Sequence, residues 1–312
     1  MGNAISIIIC TRNKADSLRE TLRALSTVNI PAGLSAEVIV ADNGSTDHTP
    51  QVAEAFAASQ QKLLVRHILI PTPGQSRARN AGIATANGDI ILFTDDDVRP
   101  PSNWVEGMCR PILDGKADAT TSTTIVAEHL RRPWMGPLHL GYLAAPPPAP
   151  EGPLSEAWRF IGASMAFSRR VLEKVPGFHT RLGPGALGFA DDSLFGMQIS
   201  RAGFRIWNVR DCEPVHHFEP TRLSRAAFLR RARGQGLSWG YIAHHWMHED
   251  HSWAELAKQW LRLQHARATV ATVWPHAEGA AEEELNLLAD FHLLRQFFKE
   301  RLAGGSNSGL PD

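Results

Sequence analysis

The chain has 312 residues, 43% of them hydrophobic, and its 32 Lys and Arg balance 32 Asp and Glu. That composition excludes a disordered chain, and zero net charge gives no global basis for binding nucleic acid or an anionic membrane. Three widely spaced cysteines, Cys10, Cys109 and Cys212, argue against a disulfide framework or a zinc site and for free thiols in a reducing compartment.

No secretory signal pattern opens the sequence, and no run of about 18 uncharged apolar residues occurs. The expectation is a cytoplasmic protein without a transmembrane segment, with peripheral membrane contact left open. Ile5 to Cys10 reads as a first strand, followed by the loop Thr11-Arg12-Asn13. Ser17 and Glu20 fit a capping box, and Leu18, Leu22 and Leu25 share one helical face. Glu37 to Ala41 is a second strand ending in Asp42-Asn43-Gly44-Ser45, and Thr49-Pro50 opens a second helix. Leu63 to Ile70 is a third strand. Gly74 to Asn80 leads into a third helix, which ends near Gly88. This β-α alternation predicts an α/β fold with a doubly wound, mostly parallel sheet.

The apolar run Ile90 to Phe93 is the fourth strand, and it stops at three carboxylates, Asp95, Asp96 and Asp97. In open α/β sheets ligands bind beyond the carboxyl ends of strands. Three adjacent carboxylates repel one another, and a hard cation such as Mg²⁺ or Mn²⁺ relieves that cost while bridging to substrate phosphates. The bland alternative is a solvated acidic turn. Beyond Asp97 the alternation loosens. Ser102 to Leu113 is expected to be a helix, and Ala119 to Val126 a strand. Residues 133 to 153 hold seven prolines and read as a long surface loop. Phe160 to Phe167 and Phe204 to Val209 are strands, with a helix from Asp191 to Arg201 between them. From Ser224 onward the pattern is helical.

Two tempting motifs fail on context. Gly183-Pro184-Gly185-Ala186-Leu187-Gly188 matches G-x-G-x-x-G but follows no buried strand, and His244, His245, His248 and His251 lack the H-E-x-x-H pattern. Arg222, Arg225, Arg230, Arg231 and Arg233 form either a solvated helix face or a contact for a phosphate-bearing acceptor. The stronger signal is combined. Thr11-Arg12-Asn13, Asp42 to Ser45, Ser76 to Asn80 and Asp95 to Asp97 should converge on one rim of the sheet. There Asp42 can accept from a base imino N–H, Arg79 can fork onto a base or diphosphate, Asp95 or Asp96 can hold ribose hydroxyls, and Asp97 can take the metal.

The order Ser6 to Asn13, Val40 to Asp47, Ser76 to Gly82 and Phe93 to Asp97 resembles glycosyltransferase family 2. The likeness continues through Gly162 to Phe167, with Ser164 where Asn is commoner. It then runs from Asp191-Asp192 to Gly203, with Asp191 replacing the usual Glu, and reaches Val215-His216. Cys10 stands where the family often has Pro, and Arg12 where it often has an aromatic residue. The resemblance implies a GT-A fold, a nucleotide-sugar donor, a divalent metal and inversion at the anomeric carbon. It implies Asp192 as catalytic base and His216 beside Asp97 in the metal shell, with Thr11, Asn13, Asp42, Arg79, Asp95 and Asp96 around the nucleotide. Expected partners are a UDP-sugar, Mn²⁺ or Mg²⁺, and a carbohydrate or lipid-linked acceptor, with no nucleic acid. Two other readings stay open: a non-catalytic nucleotide-sugar-binding subunit, and a sugar-phosphate nucleotidyltransferase. The expected division is residues 1–221 as the GT-A domain and 222–312 as a C-terminal helical extension, with a flexible tail at 304–312.

Overall fold

The structure, a computed structural model, describes residues 4–60, 63–269 and 274–304. The tail expected to be flexible lies, from residue 305 on, outside the described residues. In chain order the first elements are β1 (Ala4–Thr11), α1 (Ala15–Leu25), β2 (Ser35–Asp42), α2 (Thr49–Ser59), β3 (Leu64–Leu69), α3 (Gln75–Thr85) and β4 (Ile90–Asp95). Then come β5 (Val98–Arg99), α4 (Trp104–Leu113), β6 (Ala119–Thr121), β7 (Ile125–Val126), α5 (Pro137–Tyr142), β8 (Gly152–Pro153) and β9 (Ser164–Ser168). The last are α6 (Asp191–Arg201), β10 (Ile206–Asn208), β11 (Val215–His216), α7 (Arg225–Ile242), α8 (Trp253–Thr269) and α9 (Glu282–Leu302). They fall into two compact units, one made of residues 1–131, 143–180 and 191–218, the other of 132–142, 181–190 and 219–312.

The first unit carries an eight-stranded sheet in the order β3-β2-β1-β4-β9-β6-β10-β8. Strands β1 to β4 pair in parallel, while β9 runs antiparallel to both β4 and β6. Strand β1 is apolar on both faces because both faces are covered. Ile5, Ile7 and Ile9 pack with Leu18, Leu22, Val52 and Trp104 from α1, α2 and α4. Ile8, Ile91 and Phe93 pack on the other side with Ala78, Ile83, Phe195 and Ile199 from α3 and α6. Each such side chain contributes about 1.5–3 kcal/mol on burial.

Register then aligns the strand ends. Thr11 pairs with Asp42 across β1 and β2, and Cys10 pairs with Asp95 across β1 and β4. A second, three-stranded sheet, β5-β11-β7, sits just beyond this rim. Helix α1 begins at Ala15, two residues before the expected Ser17 cap. The orphan amide of Ala15 is met from a distant loop, by Asp47 Oδ2 at 3.1 Å, while Asp47 Oδ1 accepts from the Thr49 amide at 3.0 Å. One carboxylate therefore caps two helices, a tertiary substitute for the local box.

The second unit is helical. Ser224 caps α7, its hydroxyl accepting from the Ala227 amide at 3.3 Å. Helix α7 ends in a π turn over Ala243–Met247, closed by His248 in the left-handed region at φ 53°. Pro137 opens α5 inside the stretch expected to be a continuous loop, at a helix start where a missing N–H costs nothing. No helix among the described residues is long and apolar enough to cross a membrane.

Candidate active site

Strand ends and the turns after them hold most of the expected residues. Thr11, the last residue of β1, is 3% exposed. Asn13 adopts φ 53° in the following loop, and its Oδ1 accepts from the Thr46 amide at 2.7 Å. Its own amide donates to Ser45 Oγ at 2.9 Å, so the loops after β1 and β2 are tied together. Asp42 closes β2 with no exposed surface. Its Oδ1 accepts from the Ser45 amide at 2.8 Å, and His67 Nε2 lies 3.3 Å from Oδ2. Asn43 extends the stitching: Oδ1 accepts from the Gly74 amide at 2.7 Å and Nδ2 donates to Thr72 O at 2.9 Å. The entry to α3 is thereby fixed to the same rim.

Asp95 ends β4 with its side chain 29% exposed. The Asp96 carboxyl is pushed up to about 8 by loss of water around it and by the neighbouring Asp97 charge, with Thr11 opposing the shift. Asp97 faces His216. Strand β5 begins one residue after Asp97 and pairs antiparallel with β11, setting His216 opposite Val98. His216 Nε2 comes 3.1 Å from Asp97 Oδ1. The other ring nitrogen, Nδ1, lies 2.8 Å from the carbonyl of Leu143. A carbonyl only accepts, so Nδ1 carries a proton and Nε2 is the nitrogen that meets the carboxylate. Only a second proton or a shared cation makes that contact attractive. A carboxylate, the ligand type that suits Mn²⁺ or Mg²⁺, and an imidazole whose far nitrogen is pinned to a backbone carbonyl could together hold a divalent cation. Two protein ligands fit cations that take their remaining ligands from water and substrate phosphates. No cluster of three or more His, Cys, Asp or Glu side chains is arranged as a metal cage among the described residues.

Arg79 and Asp191 form the inner wall. Arg79 lies on α3, 3% exposed, and its Nη1 donates to Asp191 Oδ2 at 2.7 Å. Ser76 Oγ donates to the same oxygen at 3.1 Å. Arg79 Nη2 is 4.0 Å from Asp95 Oδ1, and the guanidinium stacks over the Phe178 ring at 5.1 Å. One cation therefore ties the carboxylate end of β4 to the start of α6. Asp192, the second residue of α6, has different partners: Oδ2 accepts from the Gly162 amide at 2.7 Å and Oδ1 from the Ser193 amide at 2.8 Å. Burial and the adjacent Asp191 charge raise its carboxyl to about 6, against the pull of Arg79 and the two amides.

All the expected site residues lie in the first unit. Reading the sequence assigned no part to His67, Ser76 or Gly162. Ser76 and Gly162 stand inside the quoted motifs, whereas His67 has a local trace only as a polar residue between Val65 and Ile68. The glycine-rich stretch 183–188 folds as a closed turn, with the Gly188 amide donating to Gly183 O at 3.0 Å.

Residues 6–176, more than half the chain, match the family described as "Glycosyl transferase family 2". Glycosyltransferase AglE of Haloferax volcanii is 36% identical over 104 residues, covering 33% of each chain. Undecaprenyl-phosphate 4-deoxy-4-formamido-L-arabinose transferase of Klebsiella pneumoniae is 31% identical over 114 residues, 36% of this chain and 33% of that one. The chain thus spans about a third of the length of these relatives. Among solved structures, mannosyltransferase PcManGT of Pyrobaculum calidifontis, in complex with GDP-Man and Mn²⁺, superposes with a TM-score of 0.64 at 19% identity. That match covers 95% of this chain and 87% of the other. S. aureus TarS 1–349 in complex with UDP-GlcNAc gives 0.56 at 16% identity, covering 96% and 92%. These likenesses identify the mixed sheet and its flanking helices as a GT-A fold. The chain belongs to glycosyltransferase family 2.

Proposed function

We propose that this chain is a metal-dependent, inverting glycosyltransferase that moves a sugar from a nucleoside-diphosphate sugar to an acceptor hydroxyl. The observation that carries the reading is Arg79, placed between Asp95 at 4.0 Å and Asp191 at 2.7 Å. It brings the carboxylate rim expected to hold the donor beside the helix start that carries Asp192. Thr11, Asn13, Asp95 and Asp96 line the nucleotide side, and Asp42 reaches the base when the His67 ring yields one oxygen. Asp97 and His216 hold Mn²⁺ or Mg²⁺, which when bound supplies positive charge to the departing diphosphate. Asp192 takes the proton of the acceptor hydroxyl as its oxygen attacks the anomeric carbon. The bond to the diphosphate breaks on the opposite face, so configuration inverts. Arg79 contributes a fixed positive field beside the developing charge, in a place that needs no rearrangement.

The donor class is supported by relatives solved with UDP-GlcNAc and with GDP-Man and Mn²⁺. A lipid-linked acceptor is supported by the undecaprenyl-phosphate transferases among the sequence relatives. Incubation with UDP- and GDP-sugars and Mn²⁺, followed by proton NMR of the product, tests the reading. Release of nucleoside diphosphate with an inverted anomeric signal, suppressed by EDTA, is expected. Retained configuration, or release indifferent to EDTA, would overturn it.

A further inference from the structure

Helix α8 presents an apolar stripe outward. It packs inward through Leu263 and Ala266, while Leu256 rests against Phe297 and Phe298 of α9. The opposite side carries Trp253 at 56% exposure, Trp260 at 49% and Leu261 at 60%. At 100° per residue, these three fall with Ala257 and Gln264 inside an arc of roughly 100°. That width is an amphipathic face, and an outward-facing one marks an interaction surface. The Trp253 ring is braced flat on Phe298, centroids 3.8 Å apart, so it is held in place while half in solvent.

Charge selects the occupant. Lys258 flanks the stripe on one side and Arg267 on the other, both exposed. The helix has a single acidic residue, Glu255, whose carboxylate accepts from the Ser252 amide at 2.7 Å. Tryptophan prefers the boundary between headgroups and acyl chains, where its ring is buried and its N–H stays wet. Lys and Arg stems reach past such a boundary to place their charge among phosphates. An aromatic stripe edged with cations matches a helix lying in the plane of an anionic bilayer, and neutral protein surfaces give no use for the flanking charge.

We propose that α8 docks the protein on an anionic lipid surface, with Trp253, Trp260 and Leu261 at the headgroup–acyl boundary and Lys258 and Arg267 against lipid phosphates. Vesicle binding is measured without any sugar donor, so this inference and the glycosyl-transfer reading can fail separately.

The test is co-sedimentation of the full chain with phosphatidylglycerol–phosphatidylcholine vesicles and with phosphatidylcholine alone, at low and high salt. Binding to the anionic vesicles that weakens with salt is expected, at roughly five-fold per neutralised cation. Lys258→Gln and Arg267→Gln together should erase the preference for anionic lipid. Trp253→Ser, Trp260→Ser and Leu261→Ser together should lower binding at least ten-fold, with unchanged circular dichroism. Wild-type protein that ignores both vesicle types overturns the proposal, as does a well-folded serine variant that binds like wild type. Sedimentation velocity adds a third outcome: a dimer that Trp260→Ser dissociates, with no vesicle binding, assigns the face to a second copy and overturns it equally.

Discussion

Asp191 and Asp192 share one helix start, yet their carboxylates answer to different partners. Asp191 is locked to Arg79 and Ser76 at 2.7 and 3.1 Å, whereas Asp192 is held by the backbone amides of Gly162 and Ser193. Adjacent helical residues diverge by about 100°, so only one of the two can face a substrate. Asp191→Asn leaves a buried guanidinium without its hydrogen-bonded counter-ion, a defect of about 3–5 kcal/mol. It should lower the melting temperature clearly. Asp192→Asn should not lower the melting temperature and should keep donor binding, but slow transfer by about 10²-fold or more. Thermal melts beside initial rates separate the two, and the assignment of Asp192 as base is lost if the pattern is reversed.

The Asp192 carboxyl, raised to about 6, sets a pH window. Transfer should fall as pH drops below about 6, where the base is protonated, and level off above it. Stability should move the other way. A raised carboxyl contributes most below the ordinary aspartate range, and that contribution is lost as pH climbs through about 6. Asp192→Asn should flatten this part of the pH–stability curve. A wild-type rate that stays constant from pH 5 to pH 8 would contradict the role of base.

The proposed metal dependence assigns the cation to Asp97 and His216, 3.1 Å apart. Mn²⁺ with UDP or GDP should raise the melting temperature beyond either alone, since ligands that bind only the folded state stabilise it. In Asp97→Ala the nucleotide effect should become indifferent to Mn²⁺ and to EDTA, as read by differential scanning fluorimetry. A nucleotide shift that survives EDTA unchanged in the wild type counts against the pair as a cation site.

What could be read beforehand follows the range of the interactions involved. Helix α6 carries its own start and stop, two aspartates at one end and Gly203 after the other, and the structure places it at Asp191–Arg201. Strand β4 announces itself as an apolar run cut off by charge. The Asp97–His216 contact was suggested only by family likeness, because β5 and β11 have two residues each and so show no periodicity. The Arg79–Asp191 pair spans 112 residues, and no local pattern shows that a cation in the second turn of a helix will be buried against a distant carboxylate. Likewise the α1 cap comes from Asp47, where local spacing pointed to Ser17. Short helix α5 was hidden because proline density reads as loop, although Pro137 is well placed at a helix start.

In the second unit, α7 meets α9 through glycines one turn apart. A Cβ at Gly236 would run into the Ala289 carbonyl, and one at Gly240 into that of Leu293. Backbone cannot yield as a flexible side chain does, so Gly236→Ala and Gly240→Ala should each cost about 1–3 kcal/mol despite alanine's better helix propensity. Urea unfolding followed by far-ultraviolet circular dichroism would show it. An unchanged midpoint would mean that the two helices can move apart freely.

Gly162 couples the two halves of the proposed site. Its amide holds Asp192 Oδ2 at 2.7 Å, and the space where a side chain would stand is filled by the Arg79 guanidinium. A Cβ there would meet Arg79 Nη2 directly and lie 2.9 Å from Cζ. Gly162→Ala therefore keeps the backbone donor to Asp192 but presses Arg79 off its position between Asp95 and Asp191. The guanidinium cannot retreat cheaply, because it is 3% exposed and stacked on Phe178. The expected result is a loss of transfer of about ten-fold or more, since small displacements of positioned groups are costly to rate. A lower melting temperature from the strained Arg79–Asp191 pair should accompany it. Pairing Gly162→Ala with Arg79→Ala decides between local strain and a general disturbance of β9. If Arg79 is the obstacle, the two losses in rate should be far less than additive. Strict additivity would place the harm of the extra methyl elsewhere and remove Arg79 from the link between the donor rim and Asp192.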